Sequence, residues 1–109
     1  MPVLDTSELI ERLKRGEEVA DDKTVVSLVE YPKASGHPLF KGSVLFPKVE
    51  DYITAFNIQC ELLRIGRPKS FSDLIVAAIC INRGEKLITR DKDFTDIARV
   101  SGLNVEIIQ

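Results

Sequence analysis

Phe71-Ser72-Asp73-Leu74-Ile75-Val76-Ala77-Ala78-Ile79-Cys80-Ile81-Asn82 is followed, after Arg83-Gly84-Glu85, by Lys86-Leu87-Ile88-Thr89-Arg90-Asp91-Lys92-Asp93. The first segment reads as a helix over 71–82 that is apolar almost all round, and such a helix has to be covered on every side. The second reads as a short strand, Lys86 to Thr89, running into an acid-rich turn. A helix over Asp93–Val100 and a terminal strand over Val105–Ile108 complete the pattern. Strands alternating with helices point to parallel pairing with crossover helices, a three-layer α/β domain.

Upstream, Val3-Leu4 opens a short buried strand. A helix follows over Ser7–Arg15, with Leu9, Ile10 and Leu13 on one face and Gly16 as its stop. Glu17–Lys23 reads as an acidic, solvated connection and Thr24–Ser27 as the next strand. Leu28–Tyr31 reads as the start of a helix that Pro32 fits only in its first turn. Ser35–Pro47 reads as a loop holding a short Ser43–Phe46 strand. The longest helix runs over Lys48–Ile65 and ends at Gly66 and Pro68. It carries two apolar stripes: Val49, Tyr52, Ile53, Phe56, Cys60 and Leu63 on one face, and Ala55, Ile58, Leu62 and Ile65 nearly opposite. A surface helix needs one. The second is either packed between the sheet and another helix or a homodimer interface.

The whole of 1–109 is expected to form one domain, since 109 residues with 44% hydrophobic and 29% charged content suit a single core. No apolar run approaches the roughly 20 residues of a bilayer span, and the Met1–Asp5 start lacks signal-peptide character. A soluble, cytoplasmic protein without a membrane partner is expected. The net charge of −2 gives no bulk attraction to a polyanion, so nucleic-acid binding needs a local basic patch or bound cations. Cys60 and Cys80 lack zinc-site spacing and read as core residues. His37 is the only histidine, which argues against a Ser-His-Asp triad or a histidine-based metal site.

The chemistry lies in where the acids fall. Asp5 directly follows the first strand, Glu30 closely follows the second, Asp91 follows the Lys86–Thr89 strand, and Asp73 stands at the start of the buried helix. Parallel strands end on one edge of the sheet, where ligand sites of open α/β folds form. Singly, each acid has a capping explanation: Ser27-x-x-Glu30 and Ser70-x-x-Asp73 match capping boxes, and Asp5 and Asp91 suit N-caps. Jointly they repel, by about 4 kcal/mol for a pair about 4 Å apart at an effective dielectric of 20. Helix N-termini return only about 0.3–1 kcal/mol each. Either the acids point apart, or some are protonated, or a divalent cation sits among them. An all-oxygen site favours Mg²⁺ or Mn²⁺ and suits metal-assisted phosphodiester hydrolysis. Basic residues are scattered from Arg64 to Lys92; Arg67, Lys69, Arg90 and Lys92, nearest the acids in sequence, are the phosphate-contact candidates.

Val3-Leu4-Asp5-Thr6-Ser7, Ser27-Leu28-Val29-Glu30-Tyr31-Pro32, Ser72-Asp73-Leu74-Ile75-Val76-Ala77-Ala78 and Leu87-Ile88-Thr89-Arg90-Asp91-Lys92-Asp93-Phe94, in this order, resemble the PIN domain family and within it the small prokaryotic VapC-type toxins. The resemblance implies a Rossmann-like α/β/α fold with a mostly parallel four- or five-stranded sheet. It also implies a Mg²⁺- or Mn²⁺-dependent endoribonuclease acting on RNA, commonly homodimeric and often paired with an antitoxin. By it, Asp5, Glu30, Asp73 and Asp91 are the catalytic acids. Asp5 and Asp91 would contact metal directly, with Asp73 completing the metal shell beside the accessory Asp93. Glu30 would complete the shell or activate water, and Thr6 and Thr89 would orient the ligands. The helical insertion usual after the first helix is trimmed here to Glu17–Lys23, which weakens the antitoxin and substrate-groove inferences more than the metal one.

Two rival readings remain at this level. One is a catalytically inactive module of the same fold used for binding or dimerisation. The other is a phosphoacceptor domain, disfavoured because Asp73 begins a helix rather than ending a strand.

Overall fold

Val3 and Leu87 lie side by side in neighbouring strands and face one core, whereas Leu4 and Ile88, one residue on, face another. Period-two alternation in strands buried on both faces produces this split. The computed structural model describes all residues, 1–109, as β1 (Val3–Leu4), α1 (Thr6–Lys14), β2 (Lys23–Thr24), α2 (Val25–Glu30), β3 (Val44–Leu45), α3 (Val49–Arg64), α4 (Phe71–Arg83), β4 (Leu87–Thr89), α5 (Phe94–Val100) and β5 (Val105–Ile107). A 3-10 turn at Pro32–Ala34 follows α2.

All strand pairings are parallel, in a three-stranded ladder β1-β4-β5 and a two-stranded ladder β2-β3. A parallel bridge between Val3 and Asp22 joins the two ladders. Leu4 N–H donates to Asp22 O at 2.9 Å, and Asp22 N–H donates to Pro2 O at 2.9 Å. The strands therefore follow the order β3-β2-β1-β4-β5, as the expected parallel α/β sheet requires. Gly42 permits the approach of β3 to β2, because a Cβ there would lie 2.1 Å from the Asp21 carbonyl oxygen.

Helices cover both faces. On one, Leu9 and Leu13 of α1 pack with Val19, Ala34, Leu4 and Ile88. On the other, Ala55, Ile58 and Leu62 of α3, the buried run Leu74–Cys80 of α4, and Phe94 and Ile97 of α5 pack with Val3 and Leu87. Left-handed glycines end α3 and α4, Gly66 at φ 70° and Gly84 at φ 65°.

The second strand departs from the sequence expectation. It pairs at Lys23–Thr24, and Val25 already begins a helix, so the β-branched Val25-Val26 pair belongs to α2. Val26 finds its contacts against the larger core from a helix, and packing overrides strand propensity here. α2 ends at Glu30 because Pro32 forces Tyr31 out of helical geometry (φ −139°, ψ 78°), and Pro32 then opens the 3-10 turn. The Ser27-x-x-Glu30 capping box does not form: Thr24 is the N-cap residue and Ser27 lies within the helix.

Lys23 is not part of a solvated connection. Its side chain is buried, with Nζ donating to Ala34 O at 2.9 Å and lying 3.7 Å from the Phe40 ring centroid. The α3 stripe that starts at Val49 is not covered by this chain. Ala55, Ile58 and Leu62 are buried, while Val49, Tyr52, Ile53, Phe56 and Leu63 are exposed, as is Ile65 of the inward stripe. Cys80 is buried as expected, and Cys60 only partly so. No helix is long and apolar enough to cross a membrane.

Candidate metal centre

The chain leaves β1 for β2 through α1 on one face and enters β4 from α4 on the other. The carboxyl ends of β1 and β4 thus flank the point where strand order reverses, the place where open α/β sheets open a crevice. Asp5 follows β1 and Asp91 follows β4 at that crevice. An open cleft of about 350 Å³ there is lined by Asp5, Thr6, Ser7, Ile10, Glu30, Asp73 and Asp91. All four acids singled out from the sequence face it, and no basic side chain lines it.

Two of these acids, Asp73 and Asp91, cluster with Asp93 beside the cleft, one oxygen of each within 4.8 Å of the others. Local structure sets each of them. Asp73 sits at the third position of α4, its N–H donating to the Ser70 hydroxyl at 3.2 Å, which is the forward half of the expected capping box. Asp91 accepts from its neighbour: Oδ1 takes the Asp93 N–H at 2.9 Å, a turn that closes the β4–α5 connection and turns Asp93 toward Asp91. Asp5 is the N-cap residue of α1, yet its side chain does not cap the helix. Instead its Oδ2 accepts the Thr89 hydroxyl at 2.8 Å. Thr89 is the residue for which the resemblance implies an orienting role, and its hydroxyl is bonded to Asp5 here.

Thr6 holds the fourth acid in a similar way. Its hydroxyl donates to Glu30 Oε1 at 2.5 Å, leaving Ser27 Oγ to donate to Thr6 Oγ1 across 3.0 Å. Glu30 thus arrives from the C-terminal end of α2, exposed at the cleft rim. The Ser27-x-x-Glu30 spacing, read from the sequence as a capping box, instead places Ser27 on the same helix face as Glu30 and in this row of hydrogen bonds.

The electrostatics are those of acids lining a cleft without a basic side chain among them; the nearest ammonium, Lys69 Nζ, lies 3.9 Å from Asp93 and is held by Asp96. Burial pushes the Asp5 carboxyl up, against the pull of the Thr89 hydroxyl, and the charges of Glu30 and Asp91 add to the rise. Asp73 is pushed up to about 6, first by burial, then by Asp91, with Asp5 and Asp93 contributing further. An α4 N-terminus favours a carboxylate by about 0.3–1 kcal/mol, and that is too little to hold Asp73 in its usual range. Close, half-buried oxygens facing one opening are the donor set of a hard divalent cation. The residues fit such an ion.

The four basic candidates divide. Lys69 is largely buried, with Nζ donating to Asp96 at 2.8 Å and lying 3.9 Å from Asp93. Arg90 is committed to Glu8, Nε to Oε1 at 2.8 Å. An internal carboxylate already holds each of these two. Arg67 is exposed, 3.7 Å from Asp96, and Lys92 is exposed. Sequence reading also missed Glu8 itself. It is 2% exposed and takes Arg12 Nε on Oε2 at 2.8 Å as well as Arg90 on Oε1.

No curated protein matches the sequence. Among solved structures, the chain is similar in fold to VapBC2 from Rickettsia felis bound to a DNA fragment from their promoter, at TM-score 0.75 and 15% identity, covering 96% of each chain. It is similar to DNA-bound VapBC from Salmonella typhimurium at TM-score 0.74 and 20% identity, covering 98% of each. It is also similar to VapBC-5 from Mycobacterium tuberculosis, a member of the VapBC family of toxin-antitoxin systems, at TM-score 0.70 and 24% identity, covering 99% of this chain and 97% of that one. Identities this low speak for the fold alone. The sequence itself decides the family: the PIN domain model matches residues 40–100, which hold Asp73, Asp91 and Asp93, and with the acid cleft at the switch point of its parallel sheet the chain belongs to the PIN domain family.

Proposed function

We propose that this protein is a Mg²⁺- or Mn²⁺-dependent endoribonuclease, the toxin of a toxin-antitoxin pair acting in the cytoplasm. The observation that carries this reading is the cleft in which Asp5, Glu30, Asp73 and Asp91 meet without a lysine or arginine to neutralise them, beside the Asp73–Asp91–Asp93 cluster. Asp5, Asp73, Asp91 and Asp93 are the residues that would hold the ion. When bound, a divalent cation supplies Lewis acidity toward a phosphodiester and a route to hydroxide at neutral pH. Thr89 and Thr6 orient Asp5 and Glu30 through their hydroxyls. Glu30, exposed at the rim, is placed to take a proton from an attacking water. Lys92 and Arg67, both exposed, are the cations left to hold neighbouring phosphates.

Two surface features support partners for it. Val49, Ile53, Phe56 and Leu63 of α3 present an uncovered apolar stripe that suits a second copy of this chain. A groove of about 280 Å³ bordered by Val29, Glu30, Tyr52 and Phe71 runs from the acid cleft toward that stripe and suits an antitoxin segment. The solved relatives being VapBC complexes supports such a partner.

The test is cleavage of single-stranded RNA by purified protein with Mg²⁺, with Mn²⁺ and with EDTA. Cleavage that needs the ion and disappears in Asp5→Asn and Asp91→Asn is expected. Equal residual cleavage by wild type and Asp5→Asn would mark a contaminant and end the proposal.

A further inference from the structure

A carboxylate buried three residues after Asp5, and ion-paired to the residue before Asp91, links the two halves of the acid cleft from behind. Glu8 lies on α1 at 2% exposure, and both its oxygens are engaged: Oε1 by Arg90 Nε and Oε2 by Arg12 Nε, each at 2.8 Å. Arg12 continues the chain, its guanidinium donating to Asp21 Oδ2 at 2.9 Å in the segment before β2. Arg15 Nη2 also lies 3.9 Å from Glu8 Oε2 and pairs with Glu17, so three acids and three bases cancel in this row and it adds no net charge to the cleft. Arg90 contributes a fixed position to its neighbour Asp91 and no free cation.

A purely stabilising purpose explains this poorly. Buried ion pairs are often replaceable by apolar side chains at no loss, because desolvation consumes the Coulomb gain. α1 is already anchored through buried Leu9 and Leu13. Apolar burial is non-directional, whereas N–H···O bonds to both oxygens of one carboxylate fix direction as well as distance. A fixed direction matters here because Asp5, on the α1 side, and Asp91, on the β4 side, repel each other.

We propose that Glu8 is a positioning residue: through Arg90 it holds the β4–α5 turn, with Asp91 and Asp93, at a set distance from the α1 terminus that carries Asp5, so that the acid cleft is preassembled before a cation enters. This role presupposes the metal site proposed above but not the nuclease activity.

The experiment compares wild type with Glu8→Gln, Arg90→Gln, Arg90→Lys and the control Leu13→Ala, which weakens the same α1 face without touching the ion pairs. Two quantities are read on each: Mn²⁺ affinity by calorimetry, and amide hydrogen exchange at Asp91 and Asp93 in metal-free protein. Those two amides are held by Thr89 Oγ1 (3.0 Å) and Asp91 Oδ1 (2.9 Å). Arg90→Gln and Glu8→Gln are expected to weaken Mn²⁺ about tenfold, as loss of an outer-shell partner does, and to speed exchange at both amides. Arg90→Lys keeps the charge and is expected to stay within about threefold of wild type in affinity. Leu13→Ala is expected to lower the melting temperature with Mn²⁺ affinity unchanged. If Glu8→Gln does not fold, Arg90→Gln decides alone, since Glu8 then still has Arg12. The proposal is overturned if Arg90→Gln matches wild type in affinity and exchange, or if Leu13→Ala weakens Mn²⁺ as much. Wild type that binds Mn²⁺ tightly yet cleaves no RNA would remove the nuclease reading and leave this one standing.

Discussion

Thr89 and Asp5 stand 84 positions apart and share a hydrogen bond of 2.8 Å, from the threonine hydroxyl to Asp5 Oδ2. The same hydroxyl accepts the Asp91 N–H at 3.0 Å. One fully buried side chain therefore orients a carboxylate just after β1 and the turn after β4 together. Thr89→Val keeps the shape and removes both bonds. We expect it to cost about 1–3 kcal/mol in urea unfolding, the range for orphaning a buried polar group, and to weaken Mn²⁺ about tenfold. Thr89→Ser should retain both properties. Unchanged Mn²⁺ affinity in Thr89→Val would show that Asp5 does not depend on this hydroxyl.

Asp73, held near 6 in the fold against 3.8 for a free aspartate, gives metal-free protein an inverted acid response. Between those two values the folded state keeps a proton that the unfolded state has released. The folded state binds more protons there, so stability falls as pH rises through the window. Asp73→Asn removes this penalty. Since Asp73 is only half-buried, solvent screening cuts the gain to about 1 kcal/mol. Metal-free Asp73→Asn should melt a few degrees above wild type at pH 7.5, with the gap closing at pH 4. With Mn²⁺ present, wild type should gain the larger stabilisation, and that gain should fade below pH 6 as Asp73 protonates. A variant melting below wild type at pH 7.5 without metal would contradict the strained-acid account.

How much of this was readable in advance depended on range. β1, β4 and the acids after them were legible because a parallel sheet delivers every strand end to one edge, so local pattern fixed a distant meeting. α4 was legible because an apolar run admits no solvent face. Glu8 was not. Thr6 to Lys14 is an ordinary amphipathic helix, and an acid in its first turn reads as solvated until Arg90, 82 positions away, reaches it. Lys23 was misread in the same way, and the burial of Lys69 was equally hidden, since their partners Ala34, Phe40 and Asp96 lie in other segments. Val25-Val26 misled for another reason: β-branched residues form strands only where a neighbour offers an edge, and the pairing of β2 with β3 stops at Thr24.

Asp51 supplies a control far from the cleft. It is fully buried at the start of α3, accepting the Lys48 N–H at 2.7 Å, Asn82 Nδ2 at 2.8 Å and Arg83 Nη1 at 3.3 Å, contacts that hold its carboxyl below the usual range against the opposing effect of burial. It thereby locks α3 to the end of α4. Asp51→Ala orphans these donors and is expected to cost about 3 kcal/mol in chemical unfolding, lowering the melting temperature with Mn²⁺ affinity unchanged per folded molecule. A loss below about 1 kcal/mol would show that Arg83, which also donates to Phe46 O and Ile79 O, carries the junction alone.

The outward stripe of α3 tests the assembly. Val49 and Phe56 are 77% and 68% exposed, and Ile53 and Leu63 lie with them along one helix face. Single exposed apolar residues are common, but an uncovered row along a 16-residue helix leaves a patch that a monomer gains nothing by keeping in water. Phe56→Glu places a charge in the middle of that row. It costs little in the monomer, within about 0.5 kcal/mol for a surface change, and in an interface between two copies it buries an unpaired carboxylate against its own symmetry mate. Sedimentation equilibrium should find wild type dimeric at micromolar concentration and Phe56→Glu monomeric, with the variant's far-ultraviolet dichroism unchanged. Wild type sedimenting as a monomer, or the variant as a dimer, would mean that two copies do not meet through α3.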